Sequence, residues 1–208
     1  MPTSSNSPVA GSRLAVTPVS PVISLIFETK QRPRFNPLIV HVADTAAAKQ
    51  IVQFNSRAEA LADAFWPGPL SLVLPRRRNC GLSLLVSAGL DSIAIRVPAH
   101  PLAQKLLTKV ACPIAAPSAN PSEEISPTTA LHVFYSFLAN SSSDNFLILD
   151  GGSCEVGLES SVLDLTGEKT VLLRPGGITD KALESITGKL TFAKNDGLNE
   201  IRHDIIGN

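Results

Sequence analysis

Residues 92–101 read Ser-Ile-Ala-Ile-Arg-Val-Pro-Ala-His-Pro. The run Ser92–Val97 is apolar and β-branched enough to be a buried strand, and Pro98 ends it. Prolines suit the first turn of a helix, which is expected over Pro98–Lys109. Upstream, Leu70–Leu74 reads as another strand, with the Arg76–Arg78 loop between the two. It leaves the turn Trp66-Pro67-Gly68-Pro69, where two prolines and a glycine permit no regular ladder. Thr45–Phe65 carries apolar residues at Ala48, Ile51, Val52, Leu61, Ala62 and Phe65 among charges, which predicts one or two helices that Asp44 and Thr45 can cap. Leu38–Val42 reads as a buried strand, and Val22–Thr29 as a helix end stopped by Arg32-Pro33. Residues 1–22 hold Pro2, Pro8, Pro18 and Pro21 without any period and read as irregular.

Downstream, Cys112–Ala116 reads as a strand, Pro127–Leu138 as a helix and Phe146–Leu149 as a strand ending at Asp150-Gly151-Gly152. Ser161–Asp164 and Thr170–Leu173 form strands around a Thr166-Gly167 turn, and Ile178–Ile186 forms the last helix. Residues 189–208 are polar and receive no assignment. Strands that alternate with helices and then occur in close pairs imply an α/β domain with a twisted mixed sheet and flanking helices.

The 208 residues are 44% hydrophobic with a mean hydropathy of +0.17, which fits a globular domain rather than a disordered chain. Runs such as Leu70–Leu74 are too short to cross a bilayer, and residues 1–22 contain no continuous apolar segment of the secretory kind. No membrane partner and a cytoplasmic location are therefore expected. Cys80, Cys112 and Cys154 lie far apart, as do His41, His100, His132 and His203, so no metal site is expected. Neither HExxH, GxSxG nor GxxxxGK[ST] occurs. The net charge of zero is unevenly placed: residues 1–120 hold 12 Lys and Arg against 5 Asp and Glu, and residues 121–208 hold 6 against 13. The basic first half suits an anionic ligand such as phosphate or RNA.

Four polar stretches stand out. Lys30–His41 places Lys30, Arg32 and Arg34 in a proline-stiffened loop ahead of a strand, with Asn36 beside them and His41 inside the apolar run. His41 is either a satisfied core histidine or a ligand contact. Arg96, near a strand end among apolar residues, either pairs with an internal carboxylate or meets an anionic ligand. Ala115–Ser122, continuing to Ser126-Pro127-Thr128, is a strand end opening into a small-residue loop that lets backbone N–H groups approach a ligand. Ser126 could also cap the following helix. Gly157–Val162 and Leu173–Gly177 offer a hydroxyl-rich edge and an arginine.

In order and wording these stretches resemble the YrdC-like family: KxRPxxxPLIVH at 30–41, FWPGPL at 65–70, AIRVPxHP at 94–101, APSANxS at 116–122, SPT at 126–128, LDGG at 149–152, GLES at 157–160 and LRPG at 173–176. The resemblance runs from Ile23 to Leu190, leaving residues 1–22 as an aberrant leading segment and 191–208 as a polar tail. It implies a concave basic sheet and condensation of L-threonine, bicarbonate and ATP into threonylcarbamoyl-AMP, with release of pyrophosphate. A partner machinery would then transfer the threonylcarbamoyl group to tRNA. By the resemblance, Lys30, Arg32, Asn36, Ser92, Ala116, Ser118, Ser126 and Arg174 contact ATP, while His41, Arg96 and Ser160 contact threonine. Mg²⁺ is expected to accompany ATP, with no side chain of the covalent-catalysis type required. One departure stands out: where the family opens with PTxTxYGLG, Arg13–Pro21 reads RLAVTPVSP, so the domain is expected to be truncated at its start. The resemblance leaves open a non-catalytic double-stranded RNA- or tRNA-binding module, an inactive truncated member, or the carbamoyl-adenylate chemistry of hydrogenase-maturation proteins.

Overall fold

Alternation along two adjacent strands decides how the molecule divides. In β2 (Leu70–Pro75) the side chains of Leu70, Leu72 and Leu74 fall on one face, and those of Ser71 and Val73 on the other. In β3 (Ser92–Arg96) Ile93 and Ile95 share the first face, and Ala94 and Arg96 the second. The computed structural model describes residues 20–122, 124–138, 147–154 and 157–193. Within it, the leucine and isoleucine face packs under helices, while the other face stays partly open.

The remaining strands are β1 (Val40–His41), β4 (Ile114–Ala115), β5 (Ser161–Asp164), β6 (Val171–Arg174) and β7 (Thr191–Phe192). They form one mixed sheet in the order β4-β1-β3-β2-β5-β6-β7. The pairs β1–β3, β2–β5 and β6–β7 are parallel, and the other three are antiparallel. The helices are α1 (Ser20–Thr29), α2 (Thr45–Ile51), α3 (Ser56–Phe65), α4 (Pro101–Val110), α5 (Ala130–Leu138) and α6 (Asp180–Thr187). Ile23 and Phe27 of α1, Ala48 and Ile51 of α2, Ala58 and Leu61 of α3 and Leu183 of α6 join Val40, Leu72, Ile95, Leu163 and Leu172 in one core. Val73, Ala94 and Val162 form a smaller cluster with Ile39 and Leu173 on the opposite face.

Of the two residues expected to cap α2, Asp44 does so, and Thr45 is the first helical residue; Asn55 and His100 are further caps. Asp44 Oδ1 accepts from the Ala47 amide at 2.7 Å, and Asn55 breaks the Thr45–Phe65 region into two helices by accepting from Ala58 at 2.9 Å. The start of α4 shifts to Pro101 because His100 supplies its cap. His100 Nδ1 accepts from the Leu102 amide, so its proton sits on Nε2, which donates to the Gly151 carbonyl at 3.2 Å. Four other expectations need correction. Residues 147–149 form no strand: Leu147 and Leu149 face solvent, and an edge gains nothing there (Phe146 lies outside the described residues). Thr191–Phe192 pairs with β6, so the polar tail begins with a strand; residues 194–208 lie outside the described residues. Residues 20–22 of the segment read as irregular are helical, while 1–19 are not described. The helix expected from Pro127 begins at Ala130, so Ser126 does not cap it. Among the described residues no helix is long and apolar enough to cross a membrane.

The register between β5 and β6 slips between Val162 and Leu163: Leu163 faces Leu172, but Val162 faces Arg174. Leu173 is therefore an extra residue, a bulge. By simple alternation from the buried Leu172, Arg174 would point into the helix-covered core. The bulge restores it to the open face beside Val162. Just beyond, Gly176 lies so close to Glu159–Ser161 that an added Cβ would meet Ser161 N at 2.3 Å and the Glu159 carbonyl at 2.4 Å. We expect Gly176→Ala to cost about 2 kcal/mol or more in denaturant unfolding, whereas Gly167→Ala, which meets open space, stays within about 0.5 kcal/mol.

Candidate functional site

Residues paired across a sheet share a face, so the register can be followed as a line. His41 pairs with Arg96, Arg96 with Ser71, Ser71 with Val162, and Val162 with Arg174. Five strands thus present one transverse row on the open face, about 19 Å long at the usual strand spacing. Four of its five side chains are polar. Above it lies a cavity of about 750 Å³, whose other walls come from the Lys30–Ile39 loop, the Ala116–Ser122 loop, Ser126–Ala130 and Gly157–Ser160. Pro98, Ala103 of α4, Val133 of α5 and the stretch holding Ile148, Leu149, Gly151, Gly152 and Cys154 complete it.

Of the eleven residues singled out from the sequence, ten line this cavity: Lys30, Arg32, Asn36, His41, Arg96, Ala116, Ser118, Ser126, Ser160 and Arg174. Ser92 does not. It pairs with Pro75 at the far end of β3, four residues and about 13 Å from Arg96, so strand direction separates two positions that the sequence places in one motif.

The local bonds explain how the charges are held. Lys30 is buried and turns its ammonium onto the carbonyls of Ser118 (2.5 Å) and Asn120, while the Ser122 amide donates to the Lys30 carbonyl at 2.8 Å. It therefore clamps the Ala116–Ser122 loop to the end of α1. Arg32 donates from Nε and Nη2 to the Asn36 carbonyl (3.2 Å), Asn36 Oδ1 (2.5 Å) and the Pro37 carbonyl (2.9 Å), which stiffens its own loop. Arg96 Nε donates to the Gly68 carbonyl at 3.0 Å, tying the row to the Trp66–Pro69 turn. Arg174 donates to the Ser160 carbonyl and hydroxyl and pairs with Glu159.

Four cations in one cavity raise one another's cost. Burial pulls the Lys30 ammonium down to about 8, with the Arg32 guanidinium adding to the effect. Burial likewise lowers Arg32 to about 10 and lowers Arg96 and Arg174, with Arg174 adding to the effect on Arg32 and Arg96. Among the described residues lining the cavity, Glu159 is the one carboxylate that offsets them. An internal carboxylate partner is thus not enough to balance Arg96, and the arrangement suits an anionic ligand. His41 is not a satisfied core histidine: among the described residues its buried Nδ1 finds no hydrogen-bond partner. Burial and the neighbouring Arg96 push it down to about 4, so the ring is neutral near pH 7.

Three residues at or just beneath the cavity, Glu159, Asn120 and the buried Ser71, carry weight that the motifs alone do not assign. Glu159 belongs to the GLES motif at 157–160, where the resemblance points to the adjacent Ser160. Ser71, fully buried, shares a 2.8 Å hydroxyl contact with Ser160; its signal was a serine inside the apolar run Leu70–Leu74. Asn120 donates to the Glu124 carbonyl at 2.6 Å and holds the end of the small-residue loop. No three His, Cys, Asp or Glu side chains converge on a common point among the described residues, so the cavity offers no protein cradle for a metal ion.

The family described as telomere recombination, whose model joins Sua5, YciO and YrdC proteins, matches residues 15–176. The chain is 44% identical over 169 residues to the threonylcarbamoyl-AMP synthase of Pyrococcus abyssi, covering 81% of this chain and 48% of that protein. It is 43% identical over 173 residues to the Bacillus subtilis protein of the same name, with 83% and 49% covered. It thus spans about half the length of these curated relatives. The crystal structure of P. abyssi Sua5 complexed with L-threonine superposes with a TM-score of 0.78 at 42% identity, covering 84% of this chain and 50% of that one. Escherichia coli YciO, at 18% identity and a TM-score of 0.63, shares the fold.

The depressed His41 value has a testable sign. Between pH 6.5 and 4 the unfolded chain binds a proton that the folded chain refuses, so this contribution is complete above pH 6.5 and disappears as pH falls through 4. Urea unfolding at pH 7 and 4.5 should show wild type losing about 2 kcal/mol more than His41→Asn. Equal losses would contradict the environment described for His41.

Proposed function

The chain belongs to the Sua5/YrdC family, and from that premise we propose that it makes threonylcarbamoyl-AMP from L-threonine, bicarbonate and ATP, releasing pyrophosphate. The observation that carries this reading is the transverse row, which sets His41 and Arg96 at one end of the cavity and Arg174 at the other. The two ends suit two anionic substrates. Arg96 would take the threonine carboxylate, the neutral His41 would hydrogen-bond threonine, and Ser160 would lie against it. The threonine named in the bound P. abyssi structure supports such a subsite. Arg32, Asn36, Ala116, Ser118, Ser126 and Arg174 would line the nucleotide side, with Lys30 holding the loop that carries Ser118.

The reaction asks for positioning more than for covalent help. The threonine amine nitrogen bonds to the bicarbonate carbon, and a C–O bond of bicarbonate breaks to release water, leaving a carbamate. A carbamate oxygen then bonds to the α-phosphorus, and the bond from that phosphorus to the bridging oxygen of pyrophosphate breaks. Arg32 and Arg174, desolvated and pre-aligned, would neutralise the charge that develops on the leaving group. Mg²⁺ is assigned to the phosphates of ATP, as part of the substrate, because the described cavity residues include no carboxylate cluster to hold it. The product would pass to a tRNA threonylcarbamoyl-transfer machinery, consistent with a cytoplasmic site of action.

Pyrophosphate release from ATP should require both threonine and bicarbonate; release indifferent to threonine would sink the synthase reading. Salt-sensitive tRNA binding with no pyrophosphate release would instead favour an RNA-binding module. Arg96→Ala is expected to raise the KM for threonine about ten- to hundredfold while changing that for ATP only a few-fold. A matched loss for both substrates would remove Arg96 from the threonine end.

A further inference from the structure

Glu159 is the one cavity-lining acid among the described residues, and both of its carboxylate oxygens are engaged. Oε1 accepts from the Ser126 hydroxyl at 2.8 Å, and Oε2 accepts from Arg174 Nη1. The carboxylate thus bridges the Ser126–Ala130 wall to the bulged end of β6, residues 33 and 15 positions away in sequence. Its charge also acts on Lys30, Arg32 and Arg96, so it sits within electrostatic reach of all four cations. A hydroxyl and a guanidinium converging on two oxygens of one anion is equally the pattern that holds a phosphate.

We propose that the Glu159 carboxylate is an internal stand-in for phosphate, bound by Ser126 and Arg174 until a phosphate group of the substrate exchanges with it. This rests on the nucleotide reading of the cavity. Any phosphate that takes those two donors must displace the carboxylate, which keeps a partner on Arg174 throughout and opposes tight retention of the product. Gly176 makes the exchange local. Its contact with the Glu159–Ser161 backbone fixes the main chain, so only the Glu159 side chain, about one-third exposed, has to move. Glu159 is then a positioning residue whose removal strengthens anion binding. A residue that merely braced Arg174 would do the reverse.

The test is calorimetric titration of inorganic pyrophosphate into wild type and Glu159→Gln at pH 7.5. Exchange predicts that the variant binds pyrophosphate about tenfold more tightly and releases it more slowly, with kcat reduced more than the KM for ATP. Equal or weaker binding overturns the proposal. Should Glu159→Gln fold poorly, Glu159→Ala can be read by thermal shift. Saturating pyrophosphate should raise its melting temperature by more than it raises that of wild type, and an equal or smaller rise counts against exchange. Failure of pyrophosphate to bind either protein would remove the phosphate-site reading and this inference together, whereas binding unaffected by Glu159→Gln removes this inference alone.

Discussion

Everything at the site depends on strand register. His41, Arg96, Ser71, Val162 and Arg174 come from five strands spread over 134 sequence positions, and they meet because backbone pairing sets them in one line. A slip of one residue in any pair would reverse the faces and push a guanidinium into the leucine-rich core, at a cost of several kcal/mol. The apolar face therefore fixes the polar one. Leu70, Leu72, Leu74, Ile93, Ile95 and Leu163 are buried under helices, and the site occupies the positions between them.

The cations carry a second constraint. Burial disfavours the charged forms of Lys30, Arg32, Arg96 and Arg174, and neighbouring guanidiniums add to this for the first three, so each is anchored by backbone carbonyls or by Glu159. Those anchors hold the side chains before a ligand arrives, which lowers the ordering cost of binding. The same bonds make the loops part of the site: Lys30 ties the Ala116–Ser122 loop to α1, and Arg96 ties β3 to the Trp66–Pro69 turn.

Much of this was legible in the chain. The strands Leu70–Leu74 and Ser92–Val97 and the cap at Asp44 follow from local rules of period and hydrogen bonding that need only neighbours in sequence. The family resemblance named ten cavity residues; local chemistry alone marked only where the backbone turns or a charge must be accommodated. Ser92 lies outside the cavity for a directional reason, since a motif is compact in sequence while a strand carries its two ends about 13 Å apart. Residues 147–149 failed because an apolar run looks the same whether or not an edge is available to pair it. Thr191–Phe192 escaped notice because so short a strand exists only through its partner.

The sequence by itself determined the class of fold, the separation of core and polar positions, and the identity of the charged groups, since each depends on side-chain chemistry and local periodicity. Tertiary structure alone decided the order of the strands, the bulge at Leu173 and the meeting of Glu159 with Ser126 and Arg174. These follow from pairing between segments remote in sequence. A one-residue register shift, invisible in the residues themselves, turns Arg174 from the core to the cavity.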